Sequence, residues 1–432
     1  MERNYNKSNA LLERAKKVTP LGTQTYSKSY RYYCEGSAPA FIDHGEGCYV
    51  YDIDGNEFID FVCGLGPVTI GYNDKRVNTA IINQLRKGIS FSLQTEVEVL
   101  LAEKLVDIIP CAEMVRFVKN GGDATTAAVR LARAYTNRDV IAFSGYHGMH
   151  DWYIGATSNN RGVPKAIQTL SKPFIYNDLD YLEKLFNEYS GKIAAVIIEP
   201  IQGNGPNQGY LKRVKELAHN NGGLLIFDEV VSGFRYALGG ASELYEVTPD
   251  LAAFGKGMAN GLPISAVAGK AEIMKLIEDG IFISTTFGGE ALSIAGALET
   301  IKILEEPGAY EHIWNLGGLM KNGLIDLIDK YELNNVLSVS GLEPHCGLLF
   351  EGSGKLDYLD INSIFSNSMT EYGVLSVGIN NLSQSHTKKE IDIFLAAAEE
   401  GMKNINIAIK ADSMTSVRVN GRVDPVFKRN IK

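Results

Sequence analysis

The sequence has no run of about 18 apolar residues, so it offers no candidate membrane-spanning helix. Residues 1–17 are polar and charged and lack the apolar stretch of a secretory signal. Cysteine is scarce and scattered: Cys34, Cys48, Cys63, Cys111 and Cys346, with no C-x-x-C pair. An odd, widely spaced set excludes a disulfide framework and a zinc ribbon, fits a reducing compartment, and places each thiol in the core. No fixed-period repeat, low-complexity tract or Walker A loop occurs. Basic residues are outnumbered, 42 Lys and Arg against 51 Asp and Glu, for a formal net charge of -9. Such a balance repels phosphate backbones and leaves room for no more than a local basic pocket. The expectation is a cytoplasmic protein that binds neither nucleic acid nor membrane.

What is present is an ordinary globular composition, 45% hydrophobic and 22% charged over 432 residues. That length corresponds to about two or three domains with a sizeable core. Residues 8–17 read as an amphipathic helix stopped by Pro20. Two apolar runs, 48–52 and 57–61, flank Asp54-Gly55 and predict a hairpin. Beyond residue 77, short continuous apolar runs (115–118, 140–143, 194–198, 224–227, 251–254 and 264–268) alternate with helical stretches at 124–135, 179–189 and 212–220. Continuous runs are what strands buried on both faces look like, and the alternation predicts a mainly parallel sheet flanked by helices. After residue 307, long helices at 311–331 and 389–409 frame strands at 336–340 and 346–350. The predicted organisation is an N-terminal segment, 1–60, belonging to a small α+β domain, a large domain, 61–306, and a C-terminal part, 307–432, of the small domain. The N-terminal hairpin is expected to pack with the latter.

Several segments carry chemistry. Lys256 sits between Gly255 and Gly257 after an apolar run. Burial there would lower its pKa and favour the neutral amine that a Schiff base requires; a solvated loop lysine is the alternative. The run 224–227 ends in Asp228-Glu229, and strand ends of open α/β sheets are where sites form. A carboxylate there suits a cationic ring nitrogen, or simply the capping of a turn. Asn120-Gly121-Gly122-Asp123 links an apolar run to a helix start, where backbone N–H groups suit an anion; a plain loop with an N-cap is the alternative. Tyr146-His147-Gly148-Met149-His150-Asp151 follows another run. Its two histidines lack the spacing of a helical metal motif, whereas its aromatic could stack on a planar cofactor. No metal is expected. Ser284-Thr285-Thr286 beside Phe287-Gly288-Gly289 suits a phosphate contact or an ordinary turn.

In order and combination these segments resemble the class III, fold type I, pyridoxal-5′-phosphate (PLP) aminotransferases over nearly the whole length. The glutamate-1-semialdehyde aminomutase branch is the nearest likeness. Residues 12–17, 51–56, 115–125, 130–134, 146–148, 198–200, 226–235 and 255–257 carry it. The resemblance implies a Schiff-base lysine at Lys256 that also moves protons, and Asp228 paired with the pyridine nitrogen. It implies Tyr146 and Val230 on opposite ring faces, with His147 in the adjoining turn. Asn120, Gly121 and Gly122 would form the phosphate turn, Glu199 and Asn204 would lie beside the ring, and Thr286 would reach in from the neighbouring subunit of a homodimer. The implied reaction is amino transfer between a donor such as glutamate and a carbonyl acceptor. A single-substrate isomerase such as glutamate-1-semialdehyde 2,1-aminomutase is the alternative.

Some positions depart from the family pattern. The phosphate turn has lost its side-chain hydroxyls, Leu65 stands where the aminomutase has tryptophan, Gly378 where it has glutamate, and Glu290 replaces the usual asparagine. The substrate arginine has no secure match within 23–31. Tyr26, Leu65, Trp152 and Asn380 are the positions from which an acceptor pocket is expected.

Overall fold

The computed structural model describes residues 3–424; the first two and last eight positions of the expected terminal segments lie outside the described residues. The chain divides into two compact units, one formed by residues 1–74 with 311–432 and the other by 75–310.

In the first unit, β1 (Ile42–Glu46), β2 (Tyr49–Asp52) and β3 (Glu57–Asp60) form an antiparallel meander. The hairpin at Asp54-Gly55 closes because Asp52 Oδ1 accepts from the N–H groups of Asp54 (3.0 Å) and Asn56 (2.7 Å), with Gly55 at φ 90°.

The second unit is built on a seven-stranded sheet. Its strands are β4 (Met114–Val118), β5 (Val140–Ser144), β6 (Ser171–Pro173), β7 (Ile193–Ile198), β8 (Leu224–Glu229), β9 (Leu251–Phe254) and β10 (Ser265–Gly269), in the order β4-β10-β9-β8-β7-β5-β6. Only β10 runs against the rest, antiparallel to both β4 and β9. β5, β7, β8, β9 and β10 are buried along their whole length, as their unbroken apolar runs require. The helix Gly121–Thr136 packs on the sheet through Ala124, Ala127, Ala128, Leu131 and Ala132; its small side chains permit a close approach.

The first unit is completed by β11 (Leu337–Leu342), β12 (His345–Phe350) and β13 (Val374–Leu375). β11 and β12 pair antiparallel, while β13 adds to the N-terminal meander in parallel, with Val374 opposite Ile59. The helices Tyr358–Glu371 and Lys388–Ala411 cover this unit's core, where Phe61 meets Phe394 edge to face at 4.9 Å. The turn after β3 is held in an unusual conformation. Cys63, Gly64, Leu65 and Gly66 all have positive φ, and the buried Asp60 carboxylate accepts from Val62 N (2.7 Å) and Tyr72 Oη (2.5 Å). All five cysteines are buried free thiols.

Candidate active site

Parallel strands bring their carboxyl ends to one edge of the sheet, and every turn singled out in 115–256 leaves from that edge. β8 ends there with Asp228 and Glu229, whose side chains point to opposite faces. Asp228 is buried, with Oδ2 2.8 Å from His147 Nδ1, and Oδ1 accepting from Val230 N at 3.1 Å. A carboxylate only accepts, so His147 Nδ1 carries the proton in this contact. His147 Nε2 is buried and finds no hydrogen-bond partner among the described residues.

Glu229 turns the other way into a cage. Ser232 Oγ, Ala241 N (2.9 Å), Ser242 N (2.8 Å) and Ser242 Oγ (2.8 Å) all donate to it. Burial pushes its pKa up, against the pull of these donors. Glu229 thereby ties down the segment 230–242 behind Asp228. The sequence carries no signal for this role, because nothing in the local pattern distinguishes Glu229 from its neighbour.

The turn after β4 starts the helix Gly121–Thr136. Asn120 is its N-cap, and Asp123 closes a capping box by accepting from Asn120 N at 2.8 Å. A side chain on Gly121 would force a shift, and one on Gly122 would be a tight fit. A Cβ on Gly121 would lie 2.7 Å from Val230 Cγ1, and one on Gly122 would lie 3.0 Å from His150 Cδ2. Thr125 Oγ1 donates to His147 O (2.9 Å) and so docks the turn after β5 onto this helix start. Lys119 Nζ is engaged by Glu290 Oε1 (2.7 Å) and Pro263 O (2.9 Å). The same Glu290 caps the helix Ala291–Leu304 by accepting from Leu292 N and Ser293 N.

The turn after β5 carries Tyr146, which is exposed, and its backbone N–H donates to Glu199 Oε2 at 2.8 Å. Glu199 leaves the end of β7; removal from water and the neighbouring Asp228 push its pKa up. Lys256 leaves the end of β9 through Gly255, with φ 37°, in the left-handed region that costs a side-chain-bearing residue energy. Burial pushes its pKa below the ordinary lysine value, although Glu199 and Asp228 pull the other way.

The structure thus brings Lys256, Asp228, His147, Tyr146, Glu199, Val230 and the Asn120-Gly121-Gly122 turn to one edge of the larger unit. Asn204 lies exposed in the loop after β7, and Thr286 exposed in the loop 281–290. Two of the acceptor-pocket positions are spent on packing. Trp152 is buried in the core and donates to Thr126 Oγ1 at 3.0 Å. Asn380 is buried, accepting from Ser376 Oγ (2.7 Å) and donating to Cys346 O (3.2 Å). The two histidines of the 146–151 turn face different carboxylates: His147 faces Asp228, while His150 Nε2 is 3.2 Å from Asp123 Oδ1. Among the described residues, no cluster of three His, Cys, Asp or Glu could hold a metal ion.

A parallel sheet whose strand ends gather a lysine, a histidine-backed aspartate and a glycine helix start defines a fold type I PLP enzyme. Residues 32–378 match the aminotransferase class-III family, and the chain belongs to that PLP-dependent family. It is 45% identical over 306 residues to a 3-aminobutyryl-CoA aminotransferase of Cloacimonas acidaminovorans, covering 69% of this chain and 73% of the relative. It is 35% identical over 420 residues to a glutamate-1-semialdehyde 2,1-aminomutase of Methanosphaera stadtmanae, covering 91% and 97%. Among solved structures, the FumI protein of Sphingopyxis sp. MTA144 in its PLP internal aldimine form superposes with a TM-score of 0.86 at 27% identity, covering 96% of this chain and 99% of that one. An omega-transaminase of Sphaerobacter thermophilus superposes with a TM-score of 0.82 at 27% identity, covering 92% and 97%.

Proposed function

We propose that this enzyme transfers an amino group between an amino-acid donor such as glutamate and a 3-oxoacyl acceptor carried as a thioester. The observation that carries the substrate class is the 45% identity over 306 residues to the relative named for 3-aminobutyryl-CoA.

The residues present fit PLP. The glycines of 121 and 122 keep side chains off a helix N-terminus suited to a phosphate. Asp228, backed by His147, would hold the ring nitrogen, with Tyr146 and Val230 on its two faces. Asn204 and Glu199 would lie beside the ring. When bound, PLP supplies the sink for the negative charge that develops on the substrate carbon. Lys256 Nζ, with its pKa lowered by burial, is the base that removes the substrate proton and returns it. Glu229 and Glu199 fix the segments bearing Asp228 and Tyr146.

The enzyme would act as a homodimer with Thr286 completing the partner's phosphate site. Exposed Leu85, Phe91, Leu93, Val99, Phe282 and Phe287 in the same unit support a buried subunit contact.

The test is a donor and acceptor screen. Glutamate with a 3-oxoacyl thioester should give 2-oxoglutarate and the 3-aminoacyl thioester. Conversion of glutamate-1-semialdehyde without any partner, and no reaction with the thioester, would establish the aminomutase reading, which the 35% identity over 91% of the chain favours.

A further inference from the structure

We propose that His150 is a phosphate-binding residue of the cofactor site, supplying the side-chain donor that the glycine turn lacks. The inference rests on the PLP-site reading above and adds a residue to it.

Gly121 and Gly122 offer only backbone N–H groups to an anion at the start of the helix Gly121–Thr136. Ionisable side chains on or beside this turn include Lys119, Asp123 and His150. Lys119 faces away, held by Glu290 and by Pro263 O. Asp123 stabilises the helix start but repels a phosphate dianion placed there. His150 differs in carrying a ring N–H, which can donate to an anion in either protonation state. Its imidazole fills the space that a side chain on residue 122 would take, with Cδ2 3.0 Å and Nε2 3.4 Å from the position of a Cβ there. Nε2 also lies 3.2 Å from Asp123 Oδ1, a contact that orients the ring beside the turn.

The ring is placed by its backbone. A Cβ on Gly148, at φ 101°, would lie 2.9 Å from Gly122 Cα, so only glycine lets the two turns approach this closely. Thr125 Oγ1 binds His147 O, and Trp152 Nε1 binds Thr126 Oγ1, fixing the chain on either side of residue 150 to the same helix. The imidazole is about one-third exposed, with 35% of its side chain accessible, so it can meet a ligand.

The experiment compares binding of PLP and of pyridoxal, which has no phosphate, to the full-length protein freed of cofactor, read by absorbance and equilibrium dialysis. His150→Ala should weaken PLP binding about tenfold, as expected for one charge-assisted hydrogen bond, and leave pyridoxal unchanged. His150→Asn, which keeps a polar side chain at the start of the short helix Asp151–Ile154, should show the same selective loss. Gly122→Ser in the His150→Ala background should restore PLP affinity, because the serine takes the space the ring vacated. Equal loss for both ligands, no loss for either, or no recovery in the double variant would overturn the proposal. Failure of borohydride to attach PLP to Lys256 in the unaltered protein would instead overturn the cofactor-site reading itself.

Discussion

His147 Nδ1 and Asp228 Oδ2 lie 2.8 Å apart, 81 residues apart in sequence and both buried. Together with Val230 N, which donates to Oδ1, the histidine fixes the orientation of the carboxylate. Asp228→Asn keeps the shape but loses the charge. It should still bind PLP through Lys256, while turnover falls by about a hundredfold, the equivalent of about 3 kcal/mol for breaking a buried charge pair. Near-normal kcat in that variant would contradict the pairing.

Gly121 and Val230 form a second testable pair. A methyl group on residue 121 would sit 2.7 and 2.8 Å from the two γ-carbons of Val230. Gly121→Ala should therefore cost about 1–3 kcal/mol of overpacking and weaken PLP binding. Val230→Ala should relieve that clash, so the double variant should be more stable than the sum of the two single effects. Additive unfolding midpoints would refute the contact.

The amine of Lys256 has its pKa lowered by burial and raised by Glu199 and Asp228, with burial prevailing. Reductive trapping of PLP on Lys256 should consequently show its rise at lower pH than an ordinary lysine would. Glu199→Gln removes one of the anions that hold the ammonium form, so the rise should move further toward acid. A shift toward alkali in that variant would show that Glu199 acts otherwise.

Asp250 offers a prediction about stability rather than catalysis. Its buried carboxylate accepts from Lys270 Nζ (2.6 Å), His219 Nε2 (2.8 Å) and Leu225 N (2.8 Å). Burial pushes its pKa up, but these partners outweigh it and hold the group below the ordinary aspartate value. A depressed folded-state pKa contributes stability above the unfolded pKa, and that contribution disappears as pH falls through the folded value. Asp250→Asn should lower stability by about 2 kcal/mol at neutral pH. The gap to the unaltered protein should begin to close below about pH 4, where the carboxyl of the unfolded chain takes up its proton, and vanish once the folded carboxyl is protonated at still lower pH. A gap that is constant down to pH 2 in thermal melts would rule this out.

Much of this architecture is legible in the amino-acid sequence. The runs at 140–143, 194–198, 224–227 and 251–254 form β5, β7, β8 and β9, because a strand buried on both faces must be apolar without interruption. Asp54-Gly55 marks its hairpin because few other pairs adopt that turn cheaply. β6, Ser171-Lys172-Pro173, carries no such signal: an edge strand paired on one side can be polar and can tolerate proline. β13 is two residues long and has no pattern to read; it exists because Val374 finds Ile59 across the chain.

The same division holds for the site. Local chemistry determined which residue types stand at the turns: a lysine between glycines, a carboxylate pair ending an apolar strand, and glycines opening a helix. Those are properties of a few consecutive residues, and the sequence states them. Which partner each one meets was decided only by the fold. His147 and His150 are three residues apart and look like one unit, yet one faces Asp228 and the other Asp123. Asp228 and Glu229 are adjacent, yet strand geometry sends one toward His147 and the other into a cage of serines. Trp152 and Asn380 stand at plausible pocket positions, yet their polar atoms are consumed inside the packing. Hydrogen bonds and charge pairs depend on separations of a few ångströms between segments distant in the chain, and only the folded arrangement of those segments sets such separations.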